Sequence, residues 1–367
     1  MMVGQGKRQT KSLEIVRGEV MQTFIASVAV FGLLIFFHEL GHFLVAKKVG
    51  IMVHEFSLGF GPKVFGFNRG ETRYNLRLLP LGGFVRMAGM DPNEEDDQGI
   101  PLDRTFNFKT ALQRASVIIA GPLMNFVLAV VLFAVIFTLQ GMPYATTEVG
   151  EVIKGFPAEK AGLKVGDRIV AVNDNSVEDW NQLVAETNKH PGESLNLTIQ
   201  RGKEQVKLTL TTVKDVSGQY KIGIKPTQPL MKKLNPLAAL AAGTSFTIQV
   251  SGLILSFIGQ MFTQQAPVDL AGPVGVVNEI GKAAEFGIFQ VMQLAAFLSI
   301  NLGLFNLLPI PALDGSRVLF LLWEKITGRP VEPSKESFIH LIGFGLLLLL
   351  MVVITYNDIV NLMFGNR

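Results

Sequence analysis

The run Phe36-Phe37-His38-Glu39-Leu40-Gly41-His42 sets two imidazoles and a carboxylate inside an apolar stretch, Phe24 to Ala46, that holds no Lys, Arg or Asp. Its 23 residues, at ~1.5 Å per helical residue, suffice to cross a ~30 Å hydrocarbon core. Glu39 is the only acidic or basic side chain in it apart from the two histidines, and ionisable groups at membrane depth are costly and usually functional. On a helix His38 and His42 stand one turn apart on the same face. Both rings can then reach one Zn2+, with Glu39 beside them as general base. Zinc suits such a site because it lowers the pKa of bound water to about 7.

The rest of the composition agrees with a membrane chain. The protein has 367 residues, 49% of them hydrophobic, in several long apolar runs, which reads as a polytopic α-helical membrane protein with one inserted polar domain. Net charge is +3, but the Lys and Arg residues lie mostly in loops beside apolar spans, so topology explains them and no nucleic-acid partner is expected. With no Cys, a metal site must be built from His, Asp and Glu.

Residues 1-20 read as a polar extension carrying Lys7, Arg8, Lys11 and Arg17; Met21 opens a sequence that reads naturally as a start, and the basic region of a signal peptide is the competing reading. Residues 21-143 read as two spans around a loop. That loop carries Lys63, Arg69, Arg73, Arg77, Arg86, Arg104 and Lys109, which places it, and the motif beside it, toward the cytoplasm. Phe56 to Phe67 and Tyr74 to Met87 are β-prone stretches broken at glycines, hence a β-hairpin region at the cytoplasmic side of the membrane. Its edge either takes an extended substrate by β-addition or serves only structurally. Asp91 to Asp97 reads as a solvated acidic loop. In the second span, Ser116 to Thr138, Gly121-Pro122 predicts a break, and Asn125 either faces the metal site as a candidate substrate contact or packs against another helix.

Residues 144-226 change character, with alternating strands at Arg168 to Asn173 and Leu195 to Arg201 and turns at Pro191-Gly192 and Arg201-Gly202, as a soluble α+β domain requires. Residues 227-287 are harder. Leu237 to Phe262 is uncharged yet rich in Ser, Thr and Gln, and we read it as an interfacial or re-entrant helix on the extracytoplasmic side, giving four transmembrane helices in all. Residues 288-367 hold the last two spans. The first ends at Pro309-Ile310-Pro311-Ala312-Leu313-Asp314-Gly315, where two prolines forbid continuous helix and leave free backbone at membrane depth. Asp314 there is either the third metal ligand, completing three ligands plus water, or a helix N-cap. Asn301 and Asn306 are candidates to hold substrate backbone, and His340 reads as an interface residue.

The run Gly155 to Ile169, with Gly162-Leu163-Lys164-Val165-Gly166-Asp167 at its centre, resembles the PDZ family in its bacterial, circularly permuted form; Tyr220 to Ile224 would match the peptide-accepting loop and strand. Together with His38-Glu39-Leu40-Gly41-His42, Gly121-Pro122-Leu123-Met124-Asn125-Phe126 and Asn306 to Gly315, this arrangement resembles the site-2 protease family of intramembrane zinc metalloproteases, in its bacterial regulator-of-sigma-E type. The resemblance implies a bacterial inner-membrane enzyme with His38, His42 and Asp314 as zinc ligands, Glu39 as catalytic glutamate and Asn306 in contact with substrate. It implies substrates that are transmembrane segments of single-pass proteins, notably anti-sigma factors already trimmed by a first protease, and signal-peptide remnants. The position of residues 144-226 after a second span that returns outside puts this domain outside the cytoplasm, where it either binds extended peptide and gates access to the site or serves only as a spacer. Many relatives carry two PDZ domains where this chain has one. A non-catalytic membrane-anchored PDZ scaffold is the alternative; an ion transporter would leave the PDZ domain without a purpose.

Overall fold

The computed structural model describes residues 3-90, 99-214, 220-263 and 271-364; the acidic loop expected over Asp91 to Asp97 lies outside them. The chain forms two compact units, residues 1-136 with 236-367, and residues 137-235.

In the first unit, α1 (Val3–Lys48) is one continuous helix that carries the HELGH stretch through its last turns. The antiparallel hairpin of β1 (Val53–Arg69) and β2 (Thr72–Met87) follows, with several register shifts along its length. Glycines make those irregularities possible: Gly59, Gly61 and Gly82 all hold positive φ. Glu55 is buried inside the hairpin. Burial alone would raise its carboxyl, but hydrogen bonds from Arg77 and Asn75 hold it below the usual range. α2 (Ala111–Leu139) runs through Pro122 without ending, so the break expected at Gly121-Pro122 does not interrupt the helix; the proline only withholds one N–H from its ladder. A cluster of Ala46, Val53, Met87, Val117, Ile118 and Leu321 fastens the end of α1 and the base of the hairpin to α2.

The second unit contains β3 (Met142–Tyr144), β4 (Val149–Val152), the short helix α3 (Pro157–Lys160), β5 (Arg168–Val172), β6 (Asn175–Ser176), α4 (Trp180–Asn188), β7 (Ser194–Arg201), β8 (Glu204–Thr211), β9 (Val213–Lys214), β10 (Tyr220–Lys221), β11 (Ile224–Pro226) and β12 (Leu230–Lys232). Strands β6-β5-β7-β8 form one sheet, while β11 pairs with β4 and β12 with β3. Alternation decides the core: Leu195, Leu197 and Ile199 of β7 point inward onto Ile169, Val172 and Leu183. The turn before β5 is pinned by Asp167, whose carboxylate accepts two hydrogen bonds from Arg201 at 2.7 Å and one from the Lys164 N–H. The Arg201 guanidinium holds that carboxyl below its usual range.

Back in the first unit, α5 (Pro236–Phe262) leads to α6 (Pro273–Phe286), α7 (Ile288–Leu307), α8 (Asp314–Thr327) and α9 (Pro333–Phe364). α7 lies antiparallel to α2. Gly303 faces Pro122 and Phe126, Ser299 Oγ donates to the Asn125 carbonyl at 2.8 Å, and Phe133 meets Phe297. α5 packs on both through Phe246, which touches Phe133 and Phe297. α6 crosses α1, where Gln22 Nε2 donates to the Ala284 carbonyl, and meets α9, where the buried Asp358 accepts from the Gly275 N–H at 2.7 Å. Among the described residues five helices are long and apolar enough to cross a membrane: 18-48, 111-139, 236-261, 288-307 and 334-364. The segment expected to lie in the interface or to re-enter, 237-262, is long and apolar enough to be among them.

Candidate metal centre

Helical periodicity puts His38 and His42 on the face of α1 that meets α2 and α8. Their Nε2 atoms lie 3.3 Å apart, and Asp314 Oδ2 lies 3.2 Å from the first and 3.4 Å from the second. Bonds of ~2.0–2.1 Å at a tetrahedral angle separate two ligand atoms by about 3.3–3.4 Å. The three donors therefore stand at the spacing that one zinc ion would require. The buried Asp314 Oδ2 has no hydrogen-bond donor, as suits an atom whose partner is a cation. Among the described residues these three form the one group of His, Asp or Glu side chains close enough to share an ion.

The other ring nitrogens decide whether the imidazoles can serve. His42 Nδ1 lies 2.8 Å from the Val117 carbonyl, which can only accept; the proton is on Nδ1 and the Nε2 lone pair is free. That carbonyl sits in the turn of α2 just before Pro122, whose ring has no N–H to offer the Ile118 oxygen. His38 Nδ1 lies 3.3 Å from Asn125 Nδ2, while Asn125 Oδ1 is buried without a partner. Exchanging the amide nitrogen and oxygen, which side-chain shape leaves open, lets Oδ1 accept from His38 Nδ1–H and satisfies both groups. Asn125 is fully buried and stands behind His38, away from the cleft where a substrate would lie.

Two glycines permit this geometry. A Cβ on Gly41 would strike the Ala120 carbonyl, and one on Gly121 would land on His42 Nε2, so the α1–α2 crossing depends on their bare backbones. A third, Gly83 of β2, passes Glu39, where an added Cβ would lie 3.1 Å from Glu39 Cγ and 3.0 Å from Ile35. The hairpin thus forms a wall of the site. Glu39, half-buried, lines a cleft of about 940 Å3 together with His38, His42, Asp314, Phe84 and Arg317. Nothing in the sequence marks Gly83 or Val117 as site residues, because both act through backbone position. Asn301 and Asn306 are half-buried on α7 and do not line this cleft.

Asp314 lies against the two histidines and is the first residue of α8, not its N-cap as the alternative reading had it. Leu313 before it is the N-cap and contributes no side-chain bond. A carboxylate that opens a helix is favoured there by the exposed N–H groups, and here it is turned toward the imidazoles. Gly315 has no room for a side chain against the Leu307 and Leu308 carbonyls, which folds the loop back tightly enough to aim Asp314 at α1.

Comparison with known proteins agrees with this geometry. The chain is 39% identical to the zinc metalloprotease RasP of Geobacillus kaustophilus, over 93% of this chain and 98% of that one, and 36% identical to the regulator of sigma-W protease RasP of Bacillus subtilis, over 93% and 99%. Among solved structures, a PDZ domain of an SdrC-like protein from Listeria monocytogenes matches 23% of this chain and 92% of its own, at 19% identity and a TM-score of 0.21. The model of peptidase family M50 matches residues 26-350, and with relatives this similar over their whole length the chain belongs to peptidase family M50.

Proposed function

We propose that this protein is a zinc-dependent intramembrane endopeptidase that cuts transmembrane segments of single-pass membrane proteins. The observation that carries the reading is the triangle of His38, His42 and Asp314 donors, with sides of 3.2–3.4 Å, next to Glu39 in a helix apolar enough to span a bilayer. When bound, zinc supplies Lewis acidity that makes water a competent nucleophile at neutral pH. Glu39 accepts the proton of the attacking water and delivers it to the departing amine. The hairpin edge at Gly83 and Phe84 lies beside Glu39, where an unwound substrate segment can add as a strand. Asn125 orients His38, and Asn301 and Asn306 are left as candidate substrate contacts away from the metal. The Bacillus subtilis relative is named for regulating sigma-W, which favours an anti-sigma factor as substrate class; signal-peptide remnants are a second class. Residues 144-226 act as a PDZ domain that takes extended peptide.

The domain boundaries at residues 20, 143, 226 and 287 follow the same reading, with four crossings in a bacterial inner membrane. α6 packs at Gln22 of α1 and Asp358 of α9, which at ~1.5 Å per residue lie about 24 Å from His38 and about 27 Å from His340 along their helices. α5 starts beside the end of α2, since the Leu234 N–H donates to the Phe137 carbonyl at 3.1 Å. Both ends of the α5–α6 segment therefore belong to the side away from the metal. Only ten residues join the two helices, half of the ~20 that a second crossing needs, which supports an oblique or re-entrant α5; in this four-span reading residues 144-226 are extracytoplasmic.

Purified protein in liposomes should cleave a tagged single-pass substrate, lose that activity to a chelator and regain it with zinc. In the same vesicles an impermeant thiol reagent should label single cysteines at Asn235 and Asn278 from the same side. Cleavage indifferent to chelation would remove the mechanism; labelling from opposite sides would make α5 a fifth span.

A further inference from the structure

The loop Leu308 to Leu313 that delivers Asp314 is held by few bonds of its own. Pro309 and Pro311 have no N–H to give, and Ala312 sits at φ +75°, a left-handed conformation that residues with a Cβ rarely adopt. Its ends are tied to α7 and α8, where the Leu308 N–H donates to the Phe305 carbonyl and the Ser316 N–H and Oγ donate to the Leu313 carbonyl, and at the turn itself the Ala312 N–H donates to His340 Nδ1 of α9 at 3.0 Å. The same helix meets the loop at Gly343, where a Cβ would collide with Pro311. The His340 ring is set edge-on to Phe320 of α8, with centroids 5.7 Å apart, so it touches both the loop and the helix that Asp314 opens. With Nδ1 accepting, the ring proton is on Nε2, which faces Glu336 at 3.7 Å.

We infer that His340 is a positioning residue for the metal site: by accepting the Ala312 N–H it holds the left-handed turn that aims Asp314 at His38 and His42, and so couples the last helix to metal retention. The inference rests on Asp314 being a zinc ligand. Its chemistry needs an acceptor at the δ position of residue 340 and nothing at the ε position, which separates it from simple packing. Asn places its carbonyl oxygen where Nδ1 stands, whereas Gln carries its amide one bond further, near Nε2.

The test is the rate at which full-length, zinc-loaded protein in detergent gives up zinc to a chromogenic chelator. His340→Asn should release zinc within about twofold of the unaltered protein. His340→Gln should release it about tenfold faster or more, the size of effect that residues orienting metal ligands show. Release from His340→Gln at the unaltered rate would overturn the inference, and so would equally fast release from both variants, which assigns the residue to packing alone. Unaltered protein that binds no zinc would instead refute the metal reading on which it rests, so the two failures are distinguishable.

Discussion

Glu39→Gln should keep one zinc per chain and lose cleavage by about 10²- to 10⁴-fold, the range that a positioned acid–base group contributes. Gln has nearly the shape of Glu, so the cleft beside Gly83 stays filled and the three ligands are untouched. What changes is proton affinity: the amide cannot take a proton from water or return one to the leaving amine. Measured side by side, metal content and turnover of a model transmembrane substrate must therefore separate. A variant that turned over normally would show that Glu39 is not the base, and one that lost its zinc would show that it holds the site together instead.

A second expected loss touches no ligand and no acid or base. In Gly121→Ala the added methyl would collide with His42 Nε2, the atom proposed to bind the metal. Relief requires either that the imidazole swing off the metal or that α1 and α2 move apart, and the second route is opposed by Gly41 packed on the Ala120 carbonyl of the same crossing. We expect zinc content to fall below about a tenth of the unaltered value, since losing one of three protein ligands leaves too few to hold the ion. Gly252→Ala is the matched control, because that α5 glycine has open space around it and the same substitution there should change neither zinc nor cleavage. Full metal occupancy in Gly121→Ala would mean that the α1–α2 crossing is looser than this geometry allows.

The parts of the site that sequence discloses are those fixed by local periodicity. His38 and His42 share a face because a helix has 3.6 residues per turn, and Asp314 stands out because two prolines interrupt an apolar run where free backbone needs a purpose. What surrounds them is set by tertiary crossing and leaves no local mark. The Val117 carbonyl, the bare backbones of Gly121 and Gly83 and the clamp from His340 act across 28 to 79 residues of chain or through atoms common to every residue. His340 illustrates the point: in sequence it is a lone histidine at the start of a span, read as an interface residue, and only the fold brings it to Ala312. Asn125 is legible as a polar residue in the metal region, but its full burial and its place against His38 Nδ1 come only from the fold. The α5 segment stayed ambiguous for a different reason. A helix lying in the interface and one spanning the bilayer can carry the same residues, and only the positions of its ends tell them apart.

The central claim is that three side chains from two distant segments hold one ion, and the metal content of purified full-length protein with and without Asp314 bears on it most directly. Elemental analysis should find about one zinc per chain in the unaltered protein and less than about a tenth of that in Asp314→Ala, whose remaining pair of histidines offers only two protein donors. One zinc per chain in both proteins would contradict the account, for the ion would then be bound without the residue that completes the site.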